Sequence, residues 1–401
     1  MANQLQWIDK VTAEALRIAH EKATFLGTIN RQFDGSWSEE GPTGDTLRIR
    51  LPSQYVRTRG SRVADVQDSV QQNTILVRAT QDHTAMRLNS REMAMDIDKL
   101  SELHIQPAMA SLISGVESDV LQGVTKLVYN VAGTAGTAIT SLTALGAARA
   151  KLNQGLAPKD RNRNIQMDSV TMGGLVSGVS AYFNPSNTIS ENFREGLVSR
   201  AAMADFYENE RVWAMTNATT VTAGLSTYTI VDGDQDLTVS SYTSTPAVGS
   251  VFTIANLYDC HPETKAAYSN LKQFVVLSGT TSTSISTYPI FITGARKNVA
   301  AADGSDMTPA NFTSAAITFV GSLSTTYTQG LMYHKDAFAF ATAPLPMMKS
   351  AESCSVKTVD GISLRVWQDA DIRNDEVITR IDILYGFAAI RPAWACRLIG
   401  A

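Results

Sequence analysis

The chain has 401 residues, enough for two or three domains, each able to bury a sizeable core. Hydrophobic residues make up 44% and charged residues 18%, with a net charge of −4, so no basic excess points to polyanion binding. The low charge content fits a surface partly covered by copies of the same chain, and equally a polar Ser/Thr-rich surface.

Thr12 to Leu26 reads as a helix, with Thr12 as N-cap, Leu16, Ala19, Ala23 and Leu26 as an apolar stripe, and Gly27 as a stop. Gly35, Gly41, Pro42 and Gly44 break the polar stretch that follows. From Thr46 the period becomes two, Leu47, Ile49 and Leu51 alternating with Arg48 and Arg50. Thr74 to Arg78 is patterned to return alongside, and the polar Arg57 to Arg62 stretch between them suits a long hairpin or extended loop standing away from the body.

The longest helical signal runs from about Ile97 to Val131. Ala108, Leu112, Val116, Val120, Val124 and Val128 recur every four residues, with Pro107 either in the first turn or at a kink. Ser111, Gly115, Asp119 and Gly123 form a second line of mainly small residues. Further helices are expected over Ser141–Asn153, closed by Gly155 and Pro158, and within Ser190–Phe206, giving an α+β body.

Beyond Arg211 no Lys or Arg occurs until Lys265, and Thr, Ser, Val and Tyr dominate. Thr227–Val231, Leu237–Val239, Val251–Ile254, Phe274–Val276, Ser284–Ile292 and Ala315–Val320 read as short strands of a small barrel or sandwich. Strand patterning resumes at Ile362–Val366 and Val377–Tyr385, so the β-rich block interrupts the body.

Catalytic motifs are missing: no Walker A loop, GxGxxG, HExxH or GxSxG is present, and His20, His83, His104, His261 and His334 are scattered. Cys260, Cys354 and Cys396 lie far apart and form neither a disulfide framework nor a CxxC metal pair, which favours a reducing compartment. No cofactor or metal site is therefore expected, and no enzymatic activity. The start, Met1 to Trp7, lacks a signal-peptide pattern, and no apolar run reaches membrane-spanning length, so a soluble chain without membrane contact is expected.

Two charged clusters remain as candidate contacts between copies. Asp232-Gly-Asp-Gln-Asp236 lacks the Gly and Glu of a calcium loop, since Leu237 and Thr243 stand there, and reads as an acidic hairpin turn. Arg48, Arg50, Arg57, Arg59 and Arg62 form the one basic concentration; Tyr55 is the sole aromatic beside them, which favours ion pairing with a neighbour over nucleic-acid stacking.

The order of parts resembles the Hong Kong 97-type capsid fold. Val11–Arg17, Gly27–Arg31, Gly44–Pro52 and Gln106–Ala110 are similar to the Salmonella podovirus coat family. So are Val251–Ile254, His261–Lys265, Gln273–Val276, His334–Phe338, Tyr385–Phe387 and Arg391-Pro392. The resemblance implies an N-terminal arm (1–45), an extended E-loop (46–90), and a spine helix with P-domain and first part of the A-domain (91–215). An inserted small β-barrel (216–332) and the rest of the A- and P-domains (333–401) would follow.

It further implies a major capsid protein that assembles as hexamers and pentamers into the icosahedral shell of a tailed double-stranded DNA bacteriophage. Assembly would take place in the host bacterial cytoplasm around a scaffolding protein, with a portal at one vertex and sites for a decoration protein. DNA would be packaged inside the virion without sequence-specific binding, and no Lys–Asn cross-link pair is identifiable. The alternative of the same fold is an encapsulin-like nanocompartment shell, against which the inserted block argues.

Overall fold

The computed structural model describes residues 11–19, 23–33, 46–53, 55–61, 66, 72–89, 104–179, 200–201, 203–217, 228–229, 232–239, 246–281, 284–307, 316–322, 324–349, 351–359, 361–371, 373 and 376–400. In chain order the elements begin with α1 (11–19), β1 (Thr46–Leu51), β2 (Gln72–Val77), β3 (Thr80–Asn89) and α2 (Gln106–Leu127). Next come β4 (Val131–Gly133), α3 (Leu142–Gln154), β5 (Arg163–Met167), α4 (Ser169–Val179), β6 (Arg200–Ala201), β7 (Ala204–Glu208) and β8 (Ala214–Thr216). The strands β9 (Tyr228–Thr229), β10 (Asp236–Val239), β11 (Val251–Cys260), β12 (Ala267–Thr281), β13 (Ser284–Tyr288), β14 (Val299–Ala300) and β15 (Ile317–Phe319) follow. The chain finishes with β16 (Thr326–His334), β17 (Phe338–Thr342), β18 (Ser353–Val359), β19 (Ile362–Asp371), β20 (Glu376–Ala389) and β21 (Ala395–Ile399).

The chain divides into two compact units, one of residues 1–49, 73–121 and 338–390, the other of 50–72, 122–337 and 391–401. The first unit is organised on a five-stranded antiparallel sheet, β17-β20-β19-β18, with β3 also paired to β20. Leu364, Val366, Ile381, Ile383 and Tyr385 fill its core. The expected four-residue stripe of α2 is buried from Leu112 through Val116 and Val120 to Val124. Pro107 sits in the first turn of α2, where its missing N–H costs no helical bond.

In α1, Ala15, Leu16, Ile18 and Ala19 face inward while Glu14 and Arg17 pair outside. Thr12 is fully buried within this helix and is not its cap, because the helix already includes Val11. The buried Glu117 of α2 then accepts hydrogen bonds from the Thr24 and Phe25 backbone N–H groups at 3.1 and 3.0 Å. Asn30 bridges in parallel to Ala339 of β17, so backbone bonds hold this N-terminal segment to the first unit. The strands β1 and β2 pair as a separate two-stranded sheet whose buried side chains are Ile49 and Leu76.

The second unit carries a mixed sheet, β4-β21-β16-β5-β7-β6, with β8 also on β16; β21/β4 and β5/β7 are parallel. Against it α3 packs Leu145, Ala148 and Leu152; Ser141 accepts a bond from the Thr143 N–H as N-cap and Gly155 closes the helix. The structure departs from expectation twice here. Residues 204–206, the end of the stretch expected to contain a helix, begin β7, with Ala204 and Phe206 buried on one face and Asp205 and Tyr207 half-buried on the other; 190–199 of that stretch lie outside the described residues. A helix not anticipated, α4, begins where the Asp168 side chain accepts from the Thr171 N–H.

Also in this unit is a seven-stranded antiparallel sheet, β14-β11-β12-β13-β10-β9, with β15 on β11. Its own core contains Leu237, Phe252, Ile254, Phe274, Val276, Ile285, Phe291 and Ile317, with Phe274 stacked on Phe291 at 4.5 Å. The described strand pairs leave the sheet open, without the ring of a closed barrel. Residues 326–332 lie in β16, which pairs with β5, β8 and β21. A second cluster, including Tyr129, Val131, Val251, Val275, Tyr327 and Ile399, joins this sheet to the mixed one. There the Gln273 amide accepts from the Val131 N–H and donates to its carbonyl, as a neighbouring strand would.

Candidate functional site

The basic cluster lies on and beyond the paired β1 and β2. Period-two geometry sends Arg48 and Arg50 to the face opposite buried Ile49, and both are exposed, as are Arg57 and Arg59. None of these four makes an ion pair among the described residues; Arg62 lies outside them. Tyr55, Val66, Ile75 and Val77 are exposed apolar side chains of the same region, Val66 at 82%. The stretch therefore presents guanidinium groups beside uncovered hydrocarbon, a composition suited to contact with another protein surface.

Hydrogen bonds shape the acidic turn. Asp232 accepts from the Thr293 N–H at 2.7 Å, and Asp234 accepts from the N–H groups of Gln235 and Asp236. The Gly233 N–H donates to the Phe291 carbonyl, and the Gln235 carbonyl accepts from Thr287, which stitches the turn to β13 and the segment after it. Leu237, fully buried, anchors the following strand in the core, so all three aspartates are left exposed. Three carboxylates are thereby presented to solvent within five residues. The same sequence does not gather metal ligands, and no group of three His, Cys, Asp or Glu able to hold a metal occurs among the described residues.

Several charges are buried. Asp382 of β20, wholly buried, accepts from Arg365 at 2.6 Å, from Trp367 at 2.9 Å and from Arg380. Burial works to raise its pKa, but hydrogen bonds and charge from Arg365 and Arg380 outweigh that and hold the carboxyl below its usual range. Lys272 and Asp259 form a second buried pair at 2.6 Å, with the Lys272 ammonium 5.4 Å from the centre of the Tyr129 ring. Burial, then the Asp259 charge, raises the Tyr129 pKa, so its hydroxyl stays protonated.

Arg397 of β21 is 1% exposed and has no carboxylate partner among the described residues; it donates to the carbonyls of Gly249 and Lys126 and lies over Trp213 at 5.8 Å. Burial lowers its pKa. His334 is a structural side chain: Nδ1 accepts from the Asp336 N–H, which leaves the ring proton on Nε2 to bond Asp160 at 3.0 Å. The three cysteines are free, and burial pushes the Cys396 thiol up to about 12, too high for a thiolate nucleophile.

The family model described as P22 coat protein, gene protein 5, matches residues 81–400. The chain belongs to the P22 coat protein family. It is a major capsid protein, a structural subunit of a phage shell. No curated protein sequence matches the chain. Among solved structures, one titled Mycobacterium phage Che8 shares 10% identity at a TM-score of 0.48, covering 94% of this chain and 90% of that one. The capsid of Cyanophage P-SCSP1u shares 10% at 0.44, covering 90% and 84%. The mature capsid of bacteriophage PhiM1 shares 11% at 0.42, covering 89% and 82%.

Of the residues anticipated as contacts in this coat protein, Arg48, Arg50, Arg57, Arg59, Asp232, Asp234 and Asp236 all reach solvent. Buried Asp382, Lys272 and Arg397 were not anticipated, since a charged residue in an alternating strand reads as outward-facing and only tertiary pairing reveals otherwise.

Proposed function

We propose that this coat protein assembles as hexamers and pentamers into the icosahedral shell around the double-stranded DNA of a tailed bacteriophage. The family match over residues 81–400 carries the reading. In the proposed division, 1–45 is an N-terminal arm, 46–90 an extended E-loop, 91–215 the spine helix with P-domain and early A-domain, and the remainder an inserted block followed by the rest of both domains. The pairing of β16 with β5 and β21 supports ending the inserted block before Thr326. A scaffolding protein directs assembly in the host cytoplasm, a portal occupies one vertex, and decoration proteins bind outside.

The arm arginines and the acidic turn are the proposed charged contacts between copies, supported by their exposure and opposite charge. Among the described residues no helix is long and apolar enough to cross a membrane. Negative-stain imaging of the purified protein, alone and with its scaffold, is expected to show closed shells with nucleic acid as the natural content. Small monomers under every condition, or an enzyme cargo, would overturn the reading. Changing Asp232, Asp234 and Asp236 together to Asn keeps the acceptors for the turn but removes its charge. Shell formation should weaken, most strongly at low salt; unchanged assembly removes the turn from the contact. Salt-dependent binding of naked DNA by the isolated subunit would reassign the arginines to nucleic acid.

A further inference from the structure

The path of the chain into β3 depends on two consecutive residues of β20. Gly386 pairs with Ala341 of β17. A Cβ built on it would overlap the Val77 carbonyl oxygen and lie 2.9 Å from the Val77 carbonyl carbon and 3.3 Å from the Arg78 Cα. Glycine is needed here for close approach, not for an unusual backbone angle. Thr80 stands opposite Tyr385 in the antiparallel register, so the chain crosses one face of β20 at Gly386 and turns into its edge as β3.

Tyr385 points to the opposite face of the same strand. It is fully buried, and its hydroxyl lies 2.9 Å from Asp119 of α2 and 3.1 Å from Asp82 of β3. Asp82 pairs with Ile383, which puts it on the Tyr385 face as the diagonal neighbour. Burial first, then the hydrogen bond and charge of Asp119, raise the Tyr385 pKa and keep it a donor. One phenolic proton thus serves two carboxylates, one on the helix and one on the strand that leads from the arm.

We propose that Gly386 and Tyr385 are positioning residues for assembly: together they fix the root of the arm, Val77 to Asp82, against β20 and α2. The inference rests on the reading that the arm meets neighbouring copies. Gly386 provides the seat on one face; Tyr385 provides the tie on the other. Loosening either lets the root wander while the sheet, held by β17, β18 and β19, stays folded, so the arm loses its aim before the subunit loses its fold.

The test uses the full chain with Gly386→Ala and Tyr385→Phe, reading amide hydrogen exchange, thermal unfolding and shell yield together. Exchange at residues 76–82 should quicken by about tenfold with the rest of β20 unchanged. Shell yield should fall at nearly unaltered melting temperature. Asp82→Ala should act like Tyr385→Phe, whereas Asp82→Asn, which keeps an acceptor for the hydroxyl, should restore assembly. Unchanged exchange at 76–82 overturns the joint, and so does quickened exchange with wild-type shell yield. If Gly386→Ala proves insoluble, Tyr385→Phe decides, since it removes a single oxygen and leaves the ring packed. Failure of the unaltered chain to form shells under any condition overturns the coat reading instead, with exchange still judging the joint.

Discussion

Asp382 and Arg397 are buried charges on strands, one in each unit, and they are balanced in different ways. Asp382 sits between two guanidinium groups and an indole N–H, so opposite full charges face one another. Arg397 faces dipoles: the Lys126 carbonyl in the last turn of α2, the Gly249 carbonyl, and the face of Trp213. The end of a helix carries partial negative charge, which suits a cation there. Its Nε has no hydrogen-bond partner among the described residues. A full ion pair is costly to halve, because the remaining partner is left charged in a dry place. A cation among carbonyls is costly to seat but cheaper to remove, because what remains is neutral.

The largest expected effect follows from that asymmetry. Asp382→Ala should cost about 3–5 kcal/mol in urea unfolding by leaving Arg365 and Arg380 uncompensated. A loss below about 1 kcal/mol would break the contrast, since it would mean the arginines find other partners. Arg397→Met should cost less, about 2 kcal/mol, chiefly from two carbonyls left without donors. A loss greater than that of Asp382→Ala would invert the ranking. The smallest effect is one of pH. Because the folded carboxyl of Asp382 titrates below the ordinary carboxylate range, its stabilisation is fully present above that range. It is lost as pH falls below that range and through the folded pKa. Urea midpoints measured down that range should fall more steeply for the unaltered chain than for Asp382→Asn; parallel curves would show that other carboxylates dominate.

The sequence made the local features legible and left the non-local ones dark. The four-residue spacing from Leu112 to Val124 marked α2 because a helix buries one stripe, whatever it packs against. Short alternating segments likewise marked β10, β11, β13 and β15. By contrast Gly173, Gly174 and Gly178 lowered the helical propensity of α4 enough to hide it. At the start of β7, Ala204 to Phe206 read as the end of a helical stretch because so short a run satisfies both periods. Of the contact residues, the charged clusters were found because exposed charge is visible in composition. The roles of Gly386 and Asp382 depend on residues brought close only by the finished sheet.

The two units are interleaved along the chain, and this has a consequence for synthesis. On a ribosome, α1, β3 and most of α2 emerge early, yet β20, to which β3 pairs, is among the last segments made. Until then β3 is an open edge, a state exposed to wrong pairing. The seven-stranded sheet, in contrast, closes all its described registers between residues 228 and 319 and needs nothing downstream to do so. A nascent chain of this protein therefore acquires its middle first and waits, half dressed, for its final strands.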